Sequence, residues 1–229
     1  MFEQQPEALR QKVHLLANQY LQQNEPSGWF EVLYAEADGD CQQIPWARLQ
    51  THPYLKDWLD GNSSKVLAVS HTSPSALVIG CGLGDDAEAL QAKGFQVSAF
   101  DISPTAIAWC RQRFPDSRVN YFVADVFALD SSLLQAFDLV FESRTIQALP
   151  LSVRSQAIKS IGQLVAVGGI LLVITRVRDT ETQPDGPPWP LSNQELAQFQ
   201  ELGLREICRD RFLEESNDSI HKFRIEYRR

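Results

Sequence analysis

The spacing of apolar residues changes character along the chain. From Pro6 to Gln23, the residues Leu9, Val13, Leu16 and Tyr20 recur on one face of a helix. The stretch 25–52 breaks that rhythm. Its aromatics, Trp29, Phe30, Tyr34 and Trp46, keep neither a helical nor a strand period, so the segment reads as irregular. A short helix is expected over Pro53–Asp60 and a loop over Gly61–Pro74. From Ser75 onward, short apolar runs alternate with helical stripes: strand 76–79, helix 85–93, strand 96–100, helix 104–113, strands 119–123 and 138–142, helix 151–166 and strand 170–176. Gly168-Gly169 is the expected turn into the last of these. Residues 193–202 read as another helix, with Ser192 as its N-cap and Gly203 just after it. The runs 204–212 and 219–228 alternate as two arms of a hairpin around a polar turn at Asn217-Asp218. This order predicts an α/β fold: a doubly wound, mostly parallel seven-stranded sheet ending in an antiparallel hairpin. Residues 1–74 are expected to form an N-terminal helix and aromatic cap, or lid, and residues 75–229 the sheet domain.

Composition narrows what such a domain can meet. A chain of 229 residues is long enough for one α/β core with an appended segment. Its net charge of −8 and pI near 5.0 leave no basic stripe for a phosphate backbone, so no nucleic-acid partner is expected. The basic closing run from His221 to Arg229 alternates with apolar residues and reads as the solvent face of a strand. Cys41, Cys81, Cys110 and Cys208 show neither C-x-x-C nor Cys/His spacing, which points to free thiols in a reducing cytoplasm and to no metal site. No apolar run of 18 residues and no leader pattern occurs, so no membrane partner is expected. The expected partner is a small molecule, met by a monomer or homodimer.

The candidate chemistry lies where the first two strands end. Ser75-Ala-Leu-Val-Ile runs straight into Gly80-Cys81-Gly82-Leu-Gly84, and Asp85-Asp86 then open a helix. The next apolar run ends in Phe100-Asp101-Ile102-Ser103. Glycines let the backbone turn tightly and approach a ligand, and an acid about 20 residues further on can accept both hydroxyls of a ribose. This is the pattern of a nucleoside-binding βαβ unit. A dinucleotide wants G-x-G-x-x-G and a helix start open to pyrophosphate, whereas here the spacing is G-x-G-x-G and two carboxylates occupy the first turn. Those acids suit a ligand carrying an ammonium and a cationic sulfur. Further along, Asp125 can accept an adenine amine, the Val126 backbone amide can meet a ring nitrogen, and Ile102 can pack on the adenine face. Glu142 ends the fourth strand, near the reacting end of such a ligand. His52 precedes Pro53 beside the aromatic segment, but no histidine is placed as a catalytic base.

The glycine motif resembles motif I of the class I S-adenosylmethionine-dependent methyltransferases, which have a Rossmann-like fold, and Asp101 stands where that family places its ribose-binding acid. The segments Ile44-Pro-Trp46, Val78 to Asp86, Phe100 to Ser103, Ala124-Asp-Val-Phe127, Phe137 to Phe141 and Asp185-Gly-Pro-Pro-Trp189 resemble, in that order, the thiopurine, thiol and halide methyltransferase branch. The resemblance implies that Gly80, Cys81, Gly82, Gly84, Asp101, Ile102, Asp125, Val126 and Glu142 hold S-adenosylmethionine. It implies that Trp29, Tyr34 and Trp46 fold over it, and that Trp46, Arg144 and Trp189 meet the acceptor. One departure stands out: thiopurine enzymes have an arginine two residues after the end of strand four, where this chain has Ser143 and then Arg144.

Methyl transfer from a sulfonium is an in-line displacement that rests on alignment more than on dedicated catalytic groups. A thiolate or halide needs no strong base, whereas an alcohol or amine usually does. With only acids near the site, a small thiol or other soft nucleophile is the expected acceptor. Small-molecule O- or N-methyl transfer and non-catalytic binding of S-adenosylmethionine are the alternatives.

Overall fold

The computed structural model describes residues 6–69, 73–212 and 220–229, with side chains for all of these except 62–69 and Ile220. Short apolar runs become strands because helices cover both faces of the sheet they join. The strands are β1 (Ser75–Ile79), β2 (Gln96–Asp101), β3 (Asn120–Val123), β4 (Phe137–Ser143), β5 (Val165–Arg178), β6 (Arg205–Phe212) and β7 (Ile220–Arg228). They lie in the order β3-β2-β1-β4-β5-β7-β6. The first five run parallel, and β7 pairs antiparallel with both β5 and β6. The order reverses between β1 and β4, and such a switch opens a crevice at the carboxyl ends of these strands.

Alternation along the strands sends their side chains to two cores. Ala76, Val78, Leu139 and Phe141 pack with Leu55, Trp58 and Leu59 of α3 (Pro53–Val69), Ala87 and Leu90 of α4 (Asp85–Ala92) and Ile107 of α5 (Pro104–Arg113). Leu77, Ile79 and Val140 face the other way, onto Ala157, Ile158 and Ile161 of α6 (Leu151–Gln163) and Leu196 and Phe199 of α7 (Asn193–Glu201). A third cluster joins Val13 and Ala17 of α1 (Glu7–Gln22) to α2 (Trp29–Ala37), with Leu83 and Ala106 below. Ser192 caps α7 in a capping box: its hydroxyl accepts from the Glu195 amide at 3.2 Å, and Glu195 accepts from the Ser192 amide at 2.7 Å. No helix among the described residues is long and apolar enough to cross a membrane.

Three expectations are corrected. Within the stretch expected to be irregular, residues 29–37 form a helix. Trp29, Leu33, Tyr34 and Ala37 are buried along one face, at positions i, i+4, i+5 and i+8, a stripe that the aromatics taken alone conceal. α3 runs on to Val69, through the expected loop, and α6 stops at Gln163 because β5 begins at Val165, with an irregular register against β4 before Ile170. The polar turn expected at Asn217-Asp218 lies outside the described residues.

Candidate active site

The glycine loop after β1 is fixed from several sides. Gly80, Gly82 and Gly84 have φ of +58°, +55° and +88°, a region that residues with a Cβ seldom enter. A Cβ at Gly80 would collide with the Thr145 side chain, whose hydroxyl donates to the Ile79 carbonyl at 3.1 Å. The Cys81 amide donates to the Phe100 carbonyl at 2.9 Å, and Cys110 Sγ donates to the Gly82 carbonyl at 3.1 Å. Arg113 grips the loop's far end, donating to the Leu83 carbonyl and pairing with Asp85 at 2.8 Å.

Asp101 closes the loop from β2. Its two carboxylate oxygens accept from the Gly82 amide at 2.9 Å and the Ser103 amide at 3.0 Å. Burial pushes its carboxyl up to about 6, although those amides favour the charged form. Each oxygen keeps a lone pair for a ligand hydroxyl. Two residues on, Ser103 caps α5, accepting from the Ala106 amide at 2.9 Å. The Asp125 carboxylate accepts from the Phe127 amide at 2.9 Å, which makes the turn after β3 and leaves its second oxygen uncommitted there.

Over this floor lies the aromatic segment. Trp46 Nε1 donates to the Tyr34 hydroxyl at 2.7 Å, and that hydroxyl sits 3.3 Å from where a Gly82 Cβ would be. Burial, and then Asp101, raise the Tyr34 phenol well above its ordinary range, so it stays protonated. α2 is tied to α5 through Glu31, which accepts from the hydroxyls of Ser103 at 2.5 Å and Thr105 at 2.6 Å.

Floor and roof enclose a cavity of about 150 Å³. Tyr34, Trp46, Gly80, Cys81, Gly82, Asp101, Ile102, Asp125, Val126 and Arg144 all line it. Four expected site residues do not. Trp29 is 1% exposed and stacks on Phe30 with ring centroids 4.0 Å apart, so it builds the roof from behind while Phe30 faces the cavity. Gly84 is the N-cap of α4, and a Cβ there would press on the Tyr121 hydroxyl at 2.6 Å. Glu142 is fully buried and turned into its own chain, its Oε1 accepting from the amides of Thr145 at 2.7 Å and Ile146 at 3.0 Å. Its Oε2 has no partner, and burial pushes the carboxyl up to about 7. Trp189 is buried outside the cavity, its amide donating to the Gln147 carbonyl at 2.7 Å and its carbonyl accepting from Arg154 at 2.5 Å.

Sequence reasoning passed over Phe30, Arg48, Gln50 and Thr145 as site residues, and all four line the cavity, as does Asp86, one of the two acids read as suiting a cationic ligand. The apolar stripe of α2 carried a signal for Phe30; Arg48 and Gln50 lie in non-repetitive chain that gives none. Asp86 accepts from the His52 amide at 2.7 Å, and burial raises its carboxyl to about 6. A second cavity of about 40 Å³ adjoins the first, sharing Arg48 and Arg144 and also lined by His52, Gln147, Arg176 and Lys222. Burial, then Arg144 and Arg48, depress His52 to about 2, so the ring is neutral and no base. Arg144 is itself lowered to about 10, first by burial and then by Arg48.

The donor set fits an adenosyl ligand with a positively charged tail: bare backbone at Gly82, an acid with spare lone pairs at Asp101, another at Asp125, and Asp86 at the helix start. Comparison with known proteins agrees with this reading. The family model of thiopurine S-methyltransferase matches residues 39–224. A thiopurine S-methyltransferase of Legionella pneumophila (strain Corby) is 26% identical over 126 residues, 54% of this chain and 56% of that one, so the chain spans just over half the length of this curated relative. A probable thiol methyltransferase 2 of Arabidopsis thaliana is 26% identical over 184 residues, covering 79% of this chain and 74% of that one. Among solved structures, the N-methyltransferase NodS of Bradyrhizobium japonicum WM9, in complex with S-adenosyl-L-homocysteine, superposes with a TM-score of 0.63 at 21% identity, over 87% of this chain and 97% of that one, and so shares the fold. With the family's match running from the aromatic segment through to β7, the chain belongs to the thiopurine S-methyltransferase family.

Proposed function

We propose that this protein is an S-adenosylmethionine-dependent methyltransferase acting on a small molecule, with a thiol or another soft nucleophile as the acceptor. The observation that carries the reading is the convergence of Gly80, Gly82, Asp101 and Asp125 on one cavity roofed by Tyr34 and Trp46. S-adenosylmethionine would supply a sulfonium-bound methyl open to in-line displacement. The chain's own part is to bind, orient and exclude water.

In this reading Asp101 takes the ribose hydroxyls on its free lone pairs, Ile102 packs on the adenine face, the Val126 amide meets a ring nitrogen, and Asp125 accepts the adenine amine. Asp86 faces the ammonium of the amino-acid tail, Asp85 being committed to Arg113. Phe30, Tyr34 and Trp46 close the roof and keep water from the reacting atoms. His52 is too acidic to take a proton, and Glu142 is turned away from the cavity. An acceptor that arrives ionised needs neither, and Arg144 at the rim favours an anion. Membership of the thiopurine S-methyltransferase family and the likeness to a probable thiol methyltransferase of Arabidopsis thaliana support sulfur as the atom.

Calorimetry should show S-adenosylmethionine and S-adenosylhomocysteine binding where NAD does not. Asp101→Ala should weaken both by roughly 1.5–3 kcal/mol for each charge-assisted hydrogen bond lost. Wild-type affinity in that variant, with its fold intact, would refute the assignment. Release of S-adenosylhomocysteine with thiols, halides, phenols, amines and carboxylic acids then decides the acceptor. Turnover confined to amines or carboxylic acids would sink the soft-nucleophile reading alone.

A further inference from the structure

Two carboxylates open α4, and both line the main cavity, but different groups hold them. Asp86 accepts from the His52 amide at 2.7 Å and lies in the field of Arg144 and Arg48. Asp85 is gripped from behind the lining by Arg113, whose Nη1 and Nη2 donate to its two oxygens at 2.9 and 2.8 Å. The same Nη1 donates to the Leu83 carbonyl. A forked contact of this kind fixes the geometry of an ion pair as a single bond does not.

Arg113 is the last residue of α5, and beside it stand Cys41, Cys110 and the Phe114 ring, whose centroid is 4.8 Å from the guanidinium carbon. Its charge is therefore directed at Asp85. The two side chains are 24% and 17% exposed, so water screens the pair only in part. Seen from the cavity, Asp85 is close to neutral, and Asp86 is the acid at the helix start whose charge reaches a ligand. This matters because the donor and the product of methyl transfer share the adenosine and the amino-acid tail. They differ in one methyl group and in the positive charge on sulfur. In the proposed reading Asp101 and Asp125 meet only parts common to both, so the charge lining the cavity is what separates the two.

We propose that Arg113 is a positioning residue that acts through Asp85: by holding that carboxylate it lowers the preference of the site for the cationic donor over the product with its neutral sulfur. The proposal rests on the methyltransferase reading and adds to it a residue behind the cavity that sets how strongly the product competes with the donor. An uncovered Asp85 adds a full negative charge to the lining, which attracts the sulfonium of S-adenosylmethionine and has no such hold on the sulfur of S-adenosylhomocysteine. A pair that only fastened α4 to α5 would, when broken, weaken both ligands alike.

Calorimetry of both ligands at low salt, with no acceptor present, reads the ratio of their dissociation constants. Arg113→Met uncovers Asp85, and the preference for S-adenosylmethionine should rise about threefold or more. Asp85→Asn leaves Arg113 unmatched, and the preference should fall by a similar factor. The double variant should return the wild-type ratio, and Arg113→Lys should keep it within about twofold even where both affinities drop. Melting curves check folding, and Asp85→Asn, which keeps the size of the side chain, carries the test should Arg113→Met unfold. Equal weakening of both ligands in Arg113→Met and in Asp85→Asn, or an unchanged ratio in Asp85→Asn, would overturn the proposal and leave the methyltransferase reading standing. Failure of the wild type to bind either ligand would remove that reading and the proposal with it.

Discussion

Asp101 is a carboxylate held at odds with its surroundings. Burial has raised it to about 6, while the two amides it accepts from favour the ion that a ribose would also favour. Ligand hydroxyls should therefore pull its pKa down, and binding should release a proton near pH 6. Affinity for S-adenosylhomocysteine is expected to be full above pH 7 and to fall as the pH drops through 6, with Asp86, also raised to about 6, adding to the slope. Calorimetry from pH 5 to 8 checks this; Asp101→Asn should flatten most of the change, and an equal slope in that variant would rule Asp101 out as its source. At this scale the spacing within the first βαβ unit was enough to bring Gly80, Gly82 and Asp101 to one cavity, which Asp125 joins from the end of β3. Spacing could not tell that Glu142, Trp29 and Trp189 lie outside the cavity lining, because a strand tip or an aromatic can face either the crevice or the core, and the facing depends on neighbours far away in the chain. Glu142 turns inward because the amides of Thr145 and Ile146 offer it two hydrogen bonds.

Most elements follow from local pattern, since a parallel sheet between helices demands short apolar runs bounded by turn residues, although the run at Val165 reads as the end of α6. α2 is the instructive miss. Its buried stripe mixes Trp29 and Tyr34 with Leu33 and Ala37, so attention to aromatics hides the helical period. Its role also needs a partner from another segment, because Glu31 fastens it to the start of α5, two residues beyond Asp101. Roof and ribose site are thereby mechanically joined. Burial of Glu31 works against its charge, but the bonds from Ser103 and Thr105 outweigh it and hold the carboxyl below its usual range. Glu31→Ala should cost about 1–3 kcal/mol of stability and speed hydrogen exchange across 29–37. S-adenosylhomocysteine should slow exchange over the same segment in the wild type. If the ligand leaves protection there unchanged, α2 is a fixed wall, not a closing one. A small residue is equally decisive at Gly80, where Gly80→Ala meets both a positive φ and the Thr145 side chain, and should abolish cofactor binding in a protein that still melts cooperatively.

For the molecule as a whole, the three raised acids act in one direction. Asp86, Asp101 and Glu142 bind protons more tightly folded than unfolded, so their contribution is fully present below about pH 4 and is lost as the pH rises through 6 to 7. The neutral His52, depressed to about 2, works the other way below about pH 6.5 and offsets part of this. The ligand-free protein should still be more stable at pH 5 than at pH 8, and thermal melting across that range reads the net effect. For Glu142 alone the rise from 4.5 to about 7 corresponds to roughly 3 kcal/mol, so Glu142→Gln should narrow the gap between the two pH values; an unaltered gap would show that Glu142 is charged at little cost. Ligand binding should raise stability most at the higher pH, where Asp101 is ionised. The order of the sheet has a consequence of another kind. β6 precedes β7 in the chain, yet β7 is the strand that links it to β5, and among the described residues β6 pairs with no other strand. Until β7 is in place, β6 has no partner strand and both its edges are open. Its charges, Arg205 and Arg211 exposed and Glu206 and Arg209 half-buried, are then what keep the unpaired strand from adding itself to a neighbouring chain.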